Sequence, residues 1–353
     1  MAKLNIGIIG AGMVAQKHIE SLHMLKQSRV SWLADLDTKL LESVLKKYGI
    51  PNGTNHYHKI LEDPNVKAVY ICTPPSTHFE IFTACLLAGK HIMLEKPASI
   101  SEEELRGMLT LAEQYPEQVI LSASCRHSRL QPKFHFVKKI IDSGVLGEIY
   151  YIHHNAVLRQ SRPGIEYHPQ AKWFLDKSIA GGGPVLDWGL YDLSFHLGIL
   201  SDTPDLVCVN SITKAQLDRK DPGTDIFDVE EHAVSMLEFN NGLRFYWERG
   251  THANVDVPNE TRIYGTEGGL KFAYLSWDPN EVKYYYTGRE GAGKAKSKTF
   301  KVNMKKHVND DYAINEHFLD IVLNGAKPAM PLSLEAKHLR IVFEIYGASK
   351  LTV

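Results

Sequence analysis

The feature that most constrains the fold is an apolar segment that runs directly into a glycine-rich turn near the start of the chain. Residues 4–9 read LNIGII, the continuous apolar pattern of a strand buried in a parallel sheet. Gly10 and Gly12 follow, and a small residue, Ala15, stands three positions later in a helical pattern. Gly10 permits a tight turn, Gly12 lets a ligand approach the backbone, and Ala15 allows close helix–strand packing. The spacing predicts the first strand–turn–helix unit of a doubly wound sheet.

The same turn predicts a phosphate site, because the first amides of a helix can donate hydrogen bonds to an anion. The residues expected to form it are Gly10, Gly12, Met13 and Val14. A second predicted strand, VSWLAD, ends at Asp35, about 20 residues past the glycines, where a carboxylate binds the ribose of a dinucleotide. Neither Leu36 nor Asp37 is basic, and a carboxylate repels a 2′-phosphate. The sequence therefore favours NAD as the cofactor, and NADP stays possible. The alternative to a dinucleotide site is an ordinary turn followed by a solvated aspartate.

The next predicted strand ends in residues that suit the ligand edge of such a sheet. Strand 68–72 runs into Thr73 and Pro74, and a helix begins near His78. Parallel strands place their carboxyl ends at one edge, where doubly wound folds bind ligands. We therefore expect Thr73, Pro74 and His78 to line the cofactor site, with a surface position on the helix as the alternative for His78.

The fifth predicted strand, HIMLE, ends in a charged pair followed by proline: Glu95, Lys96 and Pro97. By strand order, Lys96 points into the crevice near the nicotinamide end of a bound dinucleotide, and Glu95 either fixes Lys96 or touches the cofactor. Pro97 cannot extend the strand ladder because it has no N–H. The alternative is a solvated ion pair at the end of a strand.

The remainder of the chain changes character. From residue 148 on, patterns of alternating apolar and polar residues dominate, rich in aromatic and β-branched side chains, and Asn-Gly at 241–242 is typical of a hairpin. We predict an α/β Rossmann domain over 1–123 and an α+β domain with a large, open, mostly antiparallel sheet over 124–353. The last helix, near 333–349, is expected to pack back toward the first domain. The open face of this sheet must be covered, so we predict that the protein forms a homodimer or homotetramer through it.

The most informative segment of the second domain is GGGPVLDWGLYDLSFHLGIL, residues 181–200. Pro184 suits the first position of a helix, so the segment is predicted as one helix. Asp187 and Tyr191 are four residues apart and therefore share a helical face.

Four motifs in order, GIIGAGMVA, CTPPSTH, EKPAS and GGGPVLDWGLYD, resemble the Gfo/Idh/MocA oxidoreductases, which include relatives of glucose–fructose oxidoreductase and inositol dehydrogenase. The resemblance spans nearly the whole chain and includes IYGTEGGL at 263–270. It implies a tightly held nicotinamide cofactor, and a lysine at Lys96 that contacts substrate and nicotinamide ribose. The family pattern Asp-x-Gly-x-His begins here at Asp187 but ends in Tyr191, as in some sugar-oxidising and sugar-reducing members.

The resemblance makes Lys96, Asp187 and Tyr191 the expected catalytic residues. A free phenol has a pKa near about 10, and a neighbouring ammonium favours the phenolate. A Tyr–Lys pair beside nicotinamide can therefore move the hydroxyl proton of an alcohol while hydride moves to or from the ring. Asp187 is expected to orient the substrate or Tyr191. The alternative is that Tyr191 only packs, and that His196 or another residue takes the proton.

A long segment, 157–177, precedes these residues and is rich in Arg, His, Tyr and Trp. Such groups suit a polyol, so Arg159, His168 and Trp173 are the candidates for substrate contact; a structural or interfacial role is the alternative for each. The predicted activity is hydride transfer between nicotinamide and a secondary alcohol or ketone of a sugar, sugar derivative or cyclitol. The rival hypotheses are a non-catalytic cofactor-sensing regulator and a dehydrogenase of a non-sugar such as a dihydrodiol.

Composition excludes other classes of partner. With 40 Lys and Arg against 41 Asp and Glu, the net charge is −1, so nothing indicates binding to nucleic acid or to an anionic membrane. No apolar run approaches the roughly 20 residues of a membrane helix, and the N-terminus lacks a signal-peptide pattern. The four cysteines and 17 histidines show no metal-ligand spacing. We expect a cytoplasmic protein with reduced cysteines, a small-molecule substrate and no metal.

Overall fold

A computed structural model describes residues 3–159, 171–215, 217, 226–287 and 296–352. The chain divides into two compact units. The first contains Met1–Arg126, Ser178–Gly181 and Asn309–Lys337, and the second contains His127–Lys177, Gly182–Val308 and His338–Val353. The first unit thus includes residues 309–337 in addition to the N-terminal segment.

The helices and strands of the described residues are numbered in chain order. The helices are α1 Met13–Met24, α2 Thr38–Tyr48, α3 His58–Glu62, α4 His78–Leu87, α5 Glu102–Gln114, α6 Pro132–Asp142, α7 Lys177–Ala180, α8 Pro184–Asp187, α9 Gly189–Gly198, α10 Asp310–Asn324 and α11 Leu332–Ala348. The strands are β1 Leu4–Ile9, β2 Ser28–Ala34, β3 Asn52–Thr54, β4 Val66–Ile71, β5 His91–Leu94, β6 Ile120–Ser122, β7 Ile149–Arg159, β8 Leu206–Lys214, β9 His232–Phe239, β10 Arg244–Ala253, β11 Glu260–Gly265, β12 Gly268–Phe272, β13 Glu281–Tyr286, β14 Lys296–Lys301 and β15 Lys350–Thr352.

The first unit is built on a six-stranded parallel sheet in the order β3-β2-β1-β4-β5-β6, which confirms the predicted Rossmann arrangement. The strand order reverses between β1 and β4, and such a switch point opens a crevice at the carboxyl ends of the strands. The register pairs Ile9 with Ile71, Ile71 with Leu94, and Leu94 with Ser122. The segments that follow β1, β4, β5 and β6 therefore leave the sheet at the same edge.

The second unit contains a nine-stranded sheet in the order β14-β13-β12-β11-β7-β10-β9-β8-β15. Two neighbouring pairs, β7–β10 and β8–β15, are parallel and the others are antiparallel, so the predicted large, mostly antiparallel sheet is confirmed. Strand β9 shows that one face of this sheet is buried, because its residues alternate between partly exposed and buried positions from His232 to Phe239. That period of two is expected for a sheet that packs on helices with one face.

The prediction of a single helix over 181–200 is wrong. The segment forms two helices, α8 and α9, which meet at Trp188. Gly189, the first residue of α9, lies against the Trp247 ring, where an added Cβ would come within 2.4 Å of the indole. This close approach to a strand distant in sequence sets the direction in which α9 starts. Every residue of α9 is buried, so its polar side chains need partners inside the unit.

Asp192, near the middle of α9, is a fully buried charge. Its carboxylate accepts hydrogen bonds from Trp247 Nε1 at 2.8 Å, Tyr274 Oη at 2.7 Å and Arg249 Nε at 3.0 Å, and His154 Nε2 lies 3.2 Å away. Burial alone would raise the pKa of Asp192, but the Arg249 guanidinium and His154 outweigh it and lower the pKa well below its usual range. The carboxylate therefore stays ionised in the core.

His196, one turn further along α9, is buried in its neutral form. Its Nδ1 donates to the Asp192 carbonyl at 2.6 Å, and its Nε2 lies 2.8 Å from the Thr261 hydroxyl, which can donate to it. Burial, followed by the neighbouring His154, lowers the pKa of His196 to about 3.

No helix in the part of the chain that the structure describes is long and apolar enough to cross a membrane.

We predict that mild acid destabilises the second unit. The folded-state pKa of His196, about 3, lies below its ordinary value of 6.5, so the unfolded state binds more protons between these values. The stabilisation is complete above pH 6.5 and is lost as pH falls toward 3. The expected loss between pH 7 and pH 5 is about 2 kcal/mol, measured from urea midpoints at each pH.

In His196→Gln this dependence should flatten, whereas His58→Gln, at an exposed position on α3, should leave it unchanged. An equally steep dependence in His196→Gln would show that other groups cause the acid sensitivity.

Candidate active site

The glycine turn after β1 has the shape of a phosphate cradle. Gly10 has a positive φ of 96°, and a Cβ there would lie 2.6 Å from the Cys72 carbonyl oxygen. Gly12 is the N-cap of α1, and among the residues that the structure describes no side chain caps that helix and no atom lies within 4 Å of a Cβ placed on Gly12. Open space in front of the first amides of α1, those of Met13 and Val14, is what a pyrophosphate requires. These four predicted cofactor residues therefore fit an NAD phosphate.

Asp35 lies beside this turn, at the end of β2. Its Oδ2 accepts a hydrogen bond from Ala11 N at 2.7 Å, and its Oδ1 accepts one from Asp37 N at 2.8 Å. A carboxylate has about four lone-pair sites, so acceptor capacity remains for ribose hydroxyls. The residue after Asp35, Leu36, is 87% exposed and offers no charge for a 2′-phosphate.

His78 is fully buried, at the first turn of α4, and does not occupy the surface position considered as its alternative. Its Nδ1 lies 2.8 Å from the Pro97 carbonyl oxygen, and its Nε2 lies 2.9 Å from the Thr73 carbonyl oxygen. Burial lowers the pKa of His78, so the ring is neutral and donates to one of the two carbonyls. His78 thereby joins the end of β4, where Thr73 and Pro74 lie, to the turn after β5.

Glu95 and Lys96 have different roles at the end of β5. The Glu95 carboxylate is buried and accepts hydrogen bonds from His18 Nε2 at 2.9 Å and Arg126 Nη1 at 2.8 Å. Burial would raise the pKa of Glu95, but Arg126 and His18 outweigh it and lower the pKa well below its usual range. Lys96 is only half-buried, and its bond to Pro97 is cis. Of the two roles considered for Glu95, these contacts favour fixing the turn that carries Lys96.

In the second unit, Tyr191 belongs to a group of rings that we call the aromatic cluster: His127, Trp188, Tyr191 and Trp277. Tyr191 is 1% exposed, and its ring lies 4.8 Å from that of His127 and 5.5 Å from that of Trp188. Trp277 lies 5.2 Å from His127 and is 58% exposed. The cluster therefore extends from the buried phenol of Tyr191 to the exposed indole of Trp277. His127 and Trp277 were missed in the sequence because nothing local links them to Tyr191.

The start of α8, which carries Asp187 at its end, is fixed by a buried acid from the segment before β9. Glu230 accepts hydrogen bonds from Gly183 N at 2.8 Å and Val185 N at 3.0 Å, and Tyr346 Oη donates to it at 3.0 Å. A Cβ on Gly183 would lie 2.0 Å from the Glu230 carbonyl oxygen. The glycine is therefore required by this close approach, which sets the position of Asp187 one turn later.

Of the three residues predicted to bind substrate, the structure describes the side chain of Trp173 alone. Trp173 is half-buried and stacks on Phe174 with ring centroids 3.9 Å apart. Only the backbone of Arg159 is described, at the end of β7, and His168 lies outside the described residues. His196, the alternative proton acceptor, is engaged in the core contacts with Thr261 and the Asp192 carbonyl. Within the described ranges, no group of three His, Cys, Asp or Glu side chains could hold a metal ion.

Models of one protein family match both halves of the chain. The model described as the oxidoreductase family with an NAD-binding Rossmann fold matches residues 4–122. The model described as the GFO/IDH/MocA C-terminal domain matches residues 134–271. Together with the glycine cradle and Asp35, these matches define an NAD-binding oxidoreductase. The chain belongs to the GFO/IDH/MocA family, which confirms the resemblance drawn from its motifs.

Several relatives have described activities. Levoglucosan dehydrogenase of Pseudarthrobacter phenanthrenivorans is 25% identical over 308 residues, which cover 80% of this chain and 77% of that protein. Trans-1,2-dihydrobenzene-1,2-diol dehydrogenase of Mus musculus is 27% identical over 287 residues, covering 79% and 77%. A solved structure of levoglucosan dehydrogenase with NADH and levoglucosan aligns with a TM-score of 0.84 at 20% identity, covering 98% of this chain and 97% of that one. At that identity the structural likeness shows the fold.

We predict that Asp35→Asn weakens the preference for NAD over NADP. Asparagine keeps an oxygen that can accept from Ala11 N but removes the charge that repels a 2′-phosphate. The ratio of NADPH to NADH affinity should rise about tenfold, measured by fluorescence titration of each cofactor. Glu42→Gln, an exposed position on α2, removes the same charge nearby and should leave the ratio unchanged. An unaltered ratio in Asp35→Asn would contradict the role given to Asp35.

Proposed function

We propose that the protein moves a hydride between nicotinamide and a secondary alcohol or ketone of a sugar, sugar derivative or cyclitol. In this proposal Tyr191 is the general acid/base and Lys96 positions the substrate oxygen. The observation that carries the proposal is the aromatic cluster, in which the buried Tyr191 phenol lies next to the half-buried rings of His127 and Trp188. The exposed Trp277 ring lies beside His127. Such rings pack against the apolar C–H face of a cyclic polyol, while the phenol forms a hydrogen bond with one of the hydroxyls of the polyol.

The relatives support this choice of substrate. One is named as a levoglucosan dehydrogenase, another as a myo-inositol 2-dehydrogenase and a third as a D-glucoside 3-dehydrogenase. All three names describe oxidation of a hydroxyl on a sugar or cyclitol. The same chemistry requires a proton acceptor at the hydroxyl and a nicotinamide acceptor for the hydride.

Each of three residues has a separate role in this proposed reaction. A nicotinamide cofactor, when bound, would supply the acceptor or donor for the hydride. The Tyr191 phenol gives or takes the alcohol proton, and the Lys96 ammonium donates a hydrogen bond to the same oxygen. That bond strengthens as negative charge develops on the oxygen, so it favours the transition state over the ground state. Asp187, held by the fixed start of α8, orients the substrate or Tyr191.

A second candidate substrate is a cyclic dihydrodiol. The mouse relative is named as a trans-1,2-dihydrobenzene-1,2-diol dehydrogenase, and the aromatic cluster suits an unsaturated ring as well as a sugar. A purely regulatory role is less well supported, because Lys96, Asp187 and a proton-carrying residue at Tyr191 are all present.

A homodimer or homotetramer formed through the nine-stranded sheet also stays a proposal. It is supported by half-buried rings on the outer face, including Tyr151 and His153 of β7 and Tyr246 of β10. His153 stacks on Tyr246 with ring centroids 4.5 Å apart, which makes a flat surface suited to a second copy.

We predict that Tyr191→Phe and Lys96→Ala lose turnover while both variants still bind cofactor. Removing a general acid/base lowers kcat by about a hundredfold or more, and Lys96→Ala should abolish turnover. The measurement is the absorbance change of the nicotinamide with a panel of sugars, cyclitols and a trans-dihydrodiol, alongside NADH titrations.

The matched controls are Tyr150→Phe and Lys67→Ala, two exposed positions on β7 and β4. Near-normal turnover in Tyr191→Phe or Lys96→Ala would overturn the assigned roles. Tight NAD binding without turnover by the wild-type protein on any panel member would favour the regulatory role.

We predict that Trp277→Ala raises KM for a cyclic substrate and changes kcat little. Loss of a ring that packs on the substrate but takes no part in proton transfer weakens binding by about tenfold. Trp277→Phe keeps a flat ring and should restore most of the affinity. An unchanged KM in Trp277→Ala would remove Trp277 from the substrate site.

A further inference from the structure

A buried lysine of the second unit takes part in none of the steps above. Lys133 is the second residue of α6 and is fully buried. A positive charge in the first turn of a helix opposes the helix dipole, and a buried ammonium is unfavourable unless hydrogen bonds satisfy it. The stability of α6 therefore does not explain why a lysine stands at this position, and the explanation lies in what the ammonium contacts.

Three backbone carbonyl groups of one segment accept hydrogen bonds from the Lys133 ammonium. Its Nζ donates to the carbonyl oxygens of Ala273 at 3.1 Å, Leu275 at 2.5 Å and Asp278 at 3.0 Å. An ammonium has three N–H donors and no acceptor, so the number of carbonyls matches the number of donors. Lys133 therefore ties the start of α6 to the segment that follows β12.

The residues Leu275–Asp278 form a tight turn, which we call the Trp277 turn. The N–H of Asp278 donates to the Leu275 carbonyl at 3.0 Å, the bond that closes a β-turn. The Leu275 N–H donates to Asp278 Oδ2 at 3.1 Å. Trp277 lies inside this turn, between two of the carbonyls that accept from Lys133. The backbone on both sides of Trp277 is thus held by one ammonium.

The Trp277 ring is the exposed end of the aromatic cluster. It is 58% exposed and lies 5.2 Å from the ring of His127 and 6.2 Å from that of Trp188. An exposed side chain on a mobile segment loses conformational freedom when it packs on a ligand, and this loss weakens binding. A turn that is fixed before the ligand arrives reduces the loss.

We propose that Lys133 is a positioning residue for substrate binding, which fixes the Trp277 turn and so holds the Trp277 ring beside the rest of the aromatic cluster. Lys133 itself touches no substrate and moves no proton. Nothing local in the sequence links the two residues, because the nearest of the three carbonyls is 140 residues away along the chain. The consequence for substrate affinity rests on the proposed function, whereas the effect on the Trp277 ring does not.

The first test observes the Trp277 ring without a substrate. The full-length protein is labelled with 5-fluorotryptophan, and the fluorine signal of Trp277 among the five tryptophans is assigned with Trp277→Phe. Lys133→Met keeps a long side chain but has no donor, so the Trp277 signal should narrow and move toward that of free 5-fluorotryptophan. The signals of Trp32 and Trp173 should stay unchanged. Lys139→Met, at an exposed position on the same helix, should give the wild-type spectrum.

A wild-type Trp277 signal in folded Lys133→Met would overturn the proposal. Equal changes in all five tryptophan signals would also overturn it, because they would show a general structural role. Should Lys133→Met not fold, Lys133→Gln keeps a donor on a shorter side chain that reaches fewer of the carbonyls. The Trp277 signal should then change in the same direction, and a wild-type signal in Lys133→Gln would reject the proposal.

The second test separates positioning from structural support and uses a substrate that the wild-type protein turns over. Lys133→Met should raise KM about fivefold and leave kcat within about twofold, because the ring binds substrate but moves no proton. The double variant Lys133→Met/Trp277→Ala should match Trp277→Ala alone, because two changes that act through one ring are not additive. A double variant whose KM multiplies the two single effects, or a fall in kcat at unchanged KM, would show that Lys133 does not act through Trp277. If the wild-type protein turns over no substrate, the proposed function fails, and the fluorine signal still decides whether Lys133 positions Trp277.

Discussion

The cofactor-binding edge of the first unit depends on the buried carboxylate of Glu95. A carboxylate without water is stable only when charged or polar donors surround it, and His18 and Arg126 supply those donors. His18 lies on the helix that begins at the glycine cradle, and Arg126 lies just after β6. One ionised group therefore joins the elements on either side of Lys96 and fixes where its backbone leaves the sheet.

The second unit uses buried acids in the same way. Glu230 holds the start of α8, and Asp192 of α9 is enclosed by side chains from β7, β10 and the segment after β12. Apolar residues in such positions would often give equal or greater stability. Directional hydrogen bonds add a fixed orientation: Asp192 directly follows Tyr191, and Glu230 accepts from the backbone N–H of Val185, two residues before Asp187. The proposed catalytic side chains are thus carried by segments with little freedom to shift.

Much of the first unit could be predicted because its signals are local. The glycine spacing, Asp35 at the end of β2 and the placement of Lys96 after the fifth strand all follow from short motifs and from strand order. The helix containing Tyr191 was predicted with the right residues but as one continuous element. It breaks at Trp188, and Gly189 lies against the Trp247 ring, a contact between positions 58 residues apart that no periodicity reveals.

The sequence by itself determined the family, the cofactor fold and the candidate residues Lys96, Asp187 and Tyr191, because these depend on glycine conformations and motif spacing that the chain carries locally. Only the tertiary structure decided what surrounds them. It buried His78 against the turn after β5 and surrounded the Glu95 carboxylate with His18 and Arg126. It also placed His127 beside Tyr191, and Trp277 beside His127. The physical reason is the same in each case: a buried polar group or ring takes its role from neighbours that chain folding brings near, and those neighbours lie far away in sequence.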